Sequence, residues 1–172
     1  MFAKRGVEMK EMRFAWAPLD GRCGHEVGRQ LLRELYRDET GEECPKILTT
    51  ARGKPYFENS PLHFSISHTK KHAFCALAQW PVGIDAEEMD RRVDLRLADK
   101  ILSEPERMRY DAADDKRTIL LRLWVLKEAT VKLTGEGLRG FPNHTDFSSD
   151  DARILEIDGC YVAVLEEKDH AF

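Results

Sequence analysis

Val82-Gly83-Ile84-Asp85-Ala86-Glu87-Glu88 is an apolar run that turns acidic at its end. Side chains alternate faces along a strand, so Asp85 and Glu87 share one face and Ile84 and Ala86 point the other way, into a core. Two similar runs precede it. In HFSISH (63–68), Phe64 and Ile66 lie on one side, Ser65 and Ser67 on the other, and AFCALA (73–78) reads as a strand joined to it through Thr69, Lys70 and Lys71. Three short strands in succession predict an antiparallel meander. Further out, Phe14 and Trp16 mark a strand within MRFAWAPL (12–19), and Ile47 to Thr50 another that Gly53-Lys54-Pro55 interrupts. The charged residues 1–13 read as a loose arm.

Helical spacing separates these strands. Val27, Leu31, Leu32, Leu35 and Tyr36 recur with helical period from His25 to about Glu39, and Gly41 follows as a stop. Val93 to Leu102 reads as a helix. Ser103-Glu104-Pro105-Glu106 has the form of a capping box that starts another, running to Ala113. Thr118 to Leu133 is the longest apolar segment, ended by Gly135 and Gly137. Ile154 to Ile157 and Cys160 to Leu165 form a closing hairpin around Asp158-Gly159. The class is α+β, with antiparallel strands and long helices.

The 172 residues are 42% apolar and 34% charged, enough for one compact core or two small packed halves. A net charge of −4 argues against a general nucleic-acid binder but leaves room for a local basic patch. Cys23, Cys44, Cys75 and Cys160 form no CxxC pair, which argues for reduced thiols rather than a zinc site or disulfides. The first residues, MFAKRGVEMKEMRF, hold no apolar run of signal-peptide or membrane-span length. The expectation is a cytoplasmic protein with no membrane partner.

Two carboxylates side by side suit Mg²⁺, which takes a few acidic ligands and completes its shell with water and phosphate oxygens. Taken alone, Asp85 and Glu87 read first as a solvated strand end. Glu128 and Lys132 stand one helical turn apart, on the face of Trp124 and Gly135. A surface ion pair at that spacing is common and contributes about 0.3–0.5 kcal/mol. Yet this pair sits inside LWVLKEATVKL, an otherwise mostly apolar helix, where it can jointly serve a metal and a phosphate oxygen. Lys54 is fixed by a tight turn. Ser67, His68 and Thr69 end a strand with three hydrogen-bonding side chains, a group able to bind phosphate. The capping box accounts for Glu106, which is left out of the site.

Four blocks, in order, resemble the 4'-phosphopantetheinyl transferase superfamily: GKPYF (53–57), HFSISHT (63–69), VGIDAEE (82–88) and LWVLKEATVKLTGEGL (123–138). The family pattern is G-K-P, a strand ending S-H-S, G-[IV]-D-x-E, then W-x-x-K-E-x-x-x-K followed by G-x-G-L. Thr69 replaces a serine and keeps the hydroxyl; Ala86 replaces a common isoleucine. GID follows the GKP and SHT blocks, as in the longer, pseudo-dimeric, surfactin-synthetase-activating branch. The resemblance implies two similar α+β halves, residues 1–87 and 88–172, with the site at their junction and a monomer sufficient.

It also implies the chemistry: transfer of the 4'-phosphopantetheine arm of coenzyme A to a serine of an apo acyl or peptidyl carrier protein. Asp85, Glu87 and Glu128 are then the ligands of Mg²⁺, or of Mn²⁺ in its place. Glu128 is also the general base, and Lys132 neutralises the leaving phosphate. Lys54, Ser67, His68 and Lys132 hold coenzyme A. Arg22, His25 and Arg29 are candidates for its nucleotide phosphate, and Arg109, Lys116, Arg117 and Arg122 for docking an acidic carrier. Two other readings compete. A non-catalytic carrier-binding module of the same fold would have lost an acid or Lys132, and neither is lost. A metal-dependent nucleotide pyrophosphatase has no need of the GKP and SHT blocks.

Overall fold

The computed structural model describes residues 4–5, 12–137 and 143–167. The arm therefore lies mostly outside the described residues, as does Leu138 of the G-x-G-L block. Lys4–Arg5 (β1) is not loose, since it pairs antiparallel with Met12–Pro18 (β2). Gly24–Thr40 (α1) follows, ended by Gly41 in the left-handed conformation. Ile47–Thr49 (β3) and Pro55–Phe57 (β4) form a small hairpin around the Gly53-Lys54 turn. His63–His68 (β5) and His72–Ala78 (β6) then pair antiparallel.

The expected meander stops there. Val82–Glu88 (β7) does not pair with β6 but with Cys160–Glu166 (β9), which also pairs with Ile154–Ile157 (β8). The two larger sheets run β1-β2-β6-β5 and β7-β9-β8. The short Pro81 link carries the chain across from one to the other, a step that local patterning does not encode. The expected helix over 93–102 is also cut down. Asp94 caps a 3₁₀ turn at Leu95–Leu97, followed by the single turn Ala98–Ile101 (α2). Glu104–Asp111 (α3) starts from the capping box at Ser103, and Lys116–Thr134 (α4) ends at Gly135.

The sheets share an order of connection. β2 leads into α1, and β5 and β6 follow, with β6 central between β2 and β5; β7 leads through α2 and α3 to α4, and β8 and β9 follow, with β9 central between β7 and β8. Each long helix covers its own sheet: Val27, Leu31, Leu32 and Leu35 of α1 pack with Phe64, Cys75 and Leu77, and Leu126, Ala129 and Leu133 of α4 with Tyr161, Ala163 and Leu165. A third core joins the sheets, built from Phe14, Phe74, Val82, Ile84, Ala86, Val162 and Val164. Ile84 and Ala86 are 0% and 3% exposed, as strand alternation requires.

The face of β5 that carries Ser65 and Ser67 is buried as well, at 6% and 5% exposure. It abuts β7: the Ile84 backbone N–H donates to Ser65 Oγ at 3.1 Å. Across β7 lies α4, in direct backbone contact. A Cβ on Gly83 would fall 2.0 Å from the Ala129 carbonyl oxygen and 2.5 Å from the Leu133 nitrogen. Only a residue without a side chain lets the helix come this close to the strand. Gly83→Val therefore destabilises the fold by about 3 kcal/mol or more, since backbone and not a side chain is in the way. Urea unfolding measures it, and a loss below about 1 kcal/mol would refute this account of the packing.

Candidate functional site

The close contact of α4 with β7 places three elements around one carboxylate. Asp85 on β7 is 7% exposed. Its Oδ1 accepts from Lys132 Nζ of α4 at 2.7 Å and from Ser67 Oγ of β5 at 3.0 Å. Lys132 Nζ also donates to Ser67 Oγ at 3.0 Å, closing a triangle. Lys132 is thus no partner in an ordinary surface i,i+4 pair; its charge is directed to the strand. Asp85 Oδ2 is buried and accepts no hydrogen bond from the described residues. A buried carboxylate oxygen in that state is costly and marks a position where a cation or donor is wanted.

Glu87, two residues on and on the same face, takes a different pair of donors. Trp124 Nε1 donates to its Oε1 at 3.1 Å, and Arg91 forms an ion pair with the same oxygen. Trp124, Glu128 and Lys132 are the half-exposed stripe of the middle of α4, one turn apart, while Val125, Leu126, Lys127 and Ala129 are buried. Burial raises the pKa of Glu128; the negative charges of Asp85 and Glu87 add to the rise, and Lys132 and Arg91 oppose it. Burial likewise raises Glu87, with its bond from Arg91 working the other way and Asp85 adding to the rise. The three acids therefore repel one another.

Those acids fit a hard divalent ion by two signs: the partnerless Asp85 Oδ2 and a repulsion that a cation relieves. Among the described residues no group of three acidic, histidine or cysteine side chains is gathered so as to hold a metal ion. Mg²⁺ is usually held by one or two carboxylates and completes its shell with water and phosphate.

Beside Lys132 opens a cavity of about 350 Å³ lined by His25, Arg29, Arg52, Lys54, Ser65 and His68, among others. Of Lys54, Ser67 and His68, the first and last line this cavity and Ser67 does not. The Lys54 ammonium donates to the Leu133 carbonyl at the end of α4, and burial lowers its pKa against the pull of Glu167. His25 and Arg29 line the cavity but Arg22 does not; its guanidinium bonds to the carbonyls of Leu19 and Pro18 and to Gln30. Arg109, Lys116, Arg117 and Arg122 also have partners within the chain, at Asp146, the Asp111 carbonyl, the Met89 carbonyl and the Ser149 carbonyl with Glu156 respectively.

Residues 81–167 match the family model described as the 4'-phosphopantetheinyl transferase superfamily, which is half of the chain. The chain belongs to that superfamily. It is 31% identical over 133 residues to the 4'-phosphopantetheinyl transferase psf-1 of Bacillus pumilus, over 74% of this chain and 57% of that protein. Against the transferase gsp of Aneurinibacillus migulanus it is 33% identical over 88 residues, 50% of this chain and 36% of the relative. Against Sfp of Bacillus subtilis it is 36% identical over 96 residues, 54% and 42%. The chain thus spans about half or less of the length of these transferases.

Three groups at or near the site are not among the expected site residues. Arg91 pairs with Glu87 across a tight turn, where the i,i+4 rule for opposite charges, applied only to helices, is not consulted. Arg52 adjoins the GKP block and faces the cavity. Glu106 does cap α3, accepting from the Ser103 N–H at 2.8 Å, but it is also 0% exposed and pairs with Lys127 at 2.9 Å. Lys127 points away from Glu128 and donates to the Thr145 carbonyl at 3.0 Å, and Glu106 accepts from the Phe147 N–H at 2.9 Å. This pair fastens α3, α4 and the segment before β8.

Two outcomes follow. Lys127→Met strands a buried carboxylate and costs about 3–5 kcal/mol in urea unfolding; a cost under about 1 kcal/mol would show the pair to be dispensable. Glu128→Gln acts in the opposite direction. A carboxylate whose folded pKa is raised binds more protons folded than unfolded, so it opposes folding increasingly as pH rises through the glutamate range. Without divalent ions, Glu128→Gln is therefore more stable than the parent at pH 7, and the difference shrinks toward pH 3. A difference in melting temperature that stays flat across that range would contradict the repulsion described.

Proposed function

We propose that this chain transfers the 4'-phosphopantetheine arm of coenzyme A to a serine hydroxyl of an apo acyl or peptidyl carrier protein, releasing adenosine 3',5'-bisphosphate. The observation that carries it is the convergence of Ser67, Asp85 and Lys132 from three elements at the edge of a cation-lined cavity, in a member of this superfamily. The relatives that support the reading carry that activity in their names.

Transfer at a pyrophosphate needs charge neutralisation and alignment more than covalent help from the protein. Asp85, Glu87 and Glu128 would hold Mg²⁺, which would supply positive charge to neutralise the pyrophosphate. Lys54, Arg29 and Arg52 offer positive charge along the cavity for the coenzyme's phosphates, and His25 and His68 offer ring nitrogens for hydrogen bonds; Ser67 adjoins the cavity through its bonds to Asp85 and Lys132. Glu128 accepts the proton of the attacking serine; its raised pKa brings it nearer the working pH of a general base. Lys132 stabilises negative charge on the departing phosphate. The repeated β-α-β-β order supports two related halves, the second beginning at β7 rather than after it as the 1–87 and 88–172 division has it, with the site where they meet, so that one chain is sufficient. We place the reaction in the cytoplasm.

A panel of purified apo carriers, incubated with the chain, coenzyme A and Mg²⁺, gains the mass of phosphopantetheine on at least one member. No gain on any carrier would overturn the proposal. Glu128→Gln lowers kcat about 10²–10⁴-fold with the melting transition retained; activity within tenfold of the parent would remove Glu128 as the base.

A further inference from the structure

The acidic cluster carries two cations in this structure, from different sources. Lys132 belongs to the superfamily pattern and bonds Asp85. Arg91 does not belong to it. It stands just past β7, in a turn closed by its own N–H to the Glu88 carbonyl at 2.9 Å. From there its guanidinium reaches back to Glu87 Oε1, which also accepts from Trp124. The Glu87 side chain is 15% exposed and that of Arg91 46%, so the arginine sits at the solvent side of the acid.

Resting on the metal-dependent reading above, we propose that Arg91 is a resident counter-ion of the metal site, occupying Glu87 when no divalent ion is bound and giving it up when one binds. The charge count supports an exchange. Three carboxylates face Lys132 and Arg91, leaving one negative charge uncompensated. A divalent ion with Lys132 balances all three acids and makes the arginine surplus. Exposure supports it too, because a half-exposed guanidinium returns to water at small cost, whereas Lys132, bonded to both Asp85 and Ser67, does not. Arg91 thus positions Glu87 before the ion arrives and sets how tightly the ion is held.

The test measures Mn²⁺ binding by calorimetry, with no coenzyme A or carrier present, on the parent chain, Arg91→Gln and Arg92→Gln. Arg92→Gln removes the same charge from the adjacent residue and so reports the general field. Competition predicts that Arg91→Gln binds Mn²⁺ about two- to fivefold more tightly, the range for an ion pair of this exposure, with a clearly smaller gain for Arg92→Gln. Adding Mn²⁺ also raises the melting temperature more in Arg91→Gln than in the parent. Equal affinity in the parent and Arg91→Gln, an equal gain from Arg92→Gln, or weaker binding by Arg91→Gln would overturn the role of Arg91 and leave the metal site standing. Absence of Mn²⁺ binding in every variant would overturn both.

Discussion

A carboxylate as buried as that of Asp85 cannot rely on water, so the protein must bring it a donor and a charge. Neither is available within β7, whose flanking residues are apolar. The hydroxyl comes from Ser67 on β5 and the ammonium from Lys132 on α4. Those three elements can meet only because β7 leaves the first sheet, lies against the serine face of β5, and lets α4 approach to backbone contact over Gly83. The crossing of the chain between sheets, the glycine and the small hydroxyls on β5 are thus parts of one arrangement. Loosening any of them would leave a charged group in an apolar seam.

α4 answers two such demands at once. Its half-exposed stripe of Trp124, Glu128 and Lys132 faces the acids, while Lys127 turns the opposite way into a fully buried pair with Glu106. The second pair is well satisfied: each oxygen of Glu106 has a donor, and Lys127 also reaches a backbone carbonyl. Apolar packing tolerates small rotations of a helix. An ion pair without access to water does not, so the pair on the hidden side fixes the roll of α4 about its axis and thereby where Glu128 and Lys132 point.

Much of this was legible in residue order. Period-two alternation placed Asp85 and Glu87 together and Ile84 and Ala86 in the core. Helical period found α1 and α4, and the capping box at Ser103 is formed as written. What escaped was whatever depends on contacts between distant segments. The run of strands 63–86 looks like one meander because nothing local distinguishes a hairpin partner from a strand that pairs with residues 160–166. The helix expected over 93–102 has the apolar content but is stopped by Asp94, whose carboxylate accepts from the Arg96 N–H and starts a shorter turn. The basic residues expected at a docking surface are engaged within the chain, and sequence spacing has no means of showing that.

The electrostatics of the site also explain why it is built from a strand and a helix rather than a loop. Asp85 adds to the raised pKa of Glu87 and of Glu128, so the acids push apart, and a flexible segment would relax by separating them. β7 is held on one edge by β9 and on the other side by Ser65 and Ser67, and α4 is pinned by its contact at Gly83 and its pair at Glu106. The repulsion therefore persists in the folded state as a standing attraction for positive charge. Lys132 and Arg91 meet part of it. The remainder, at a carboxylate oxygen to which no described residue donates, is what the proposed divalent ion would meet.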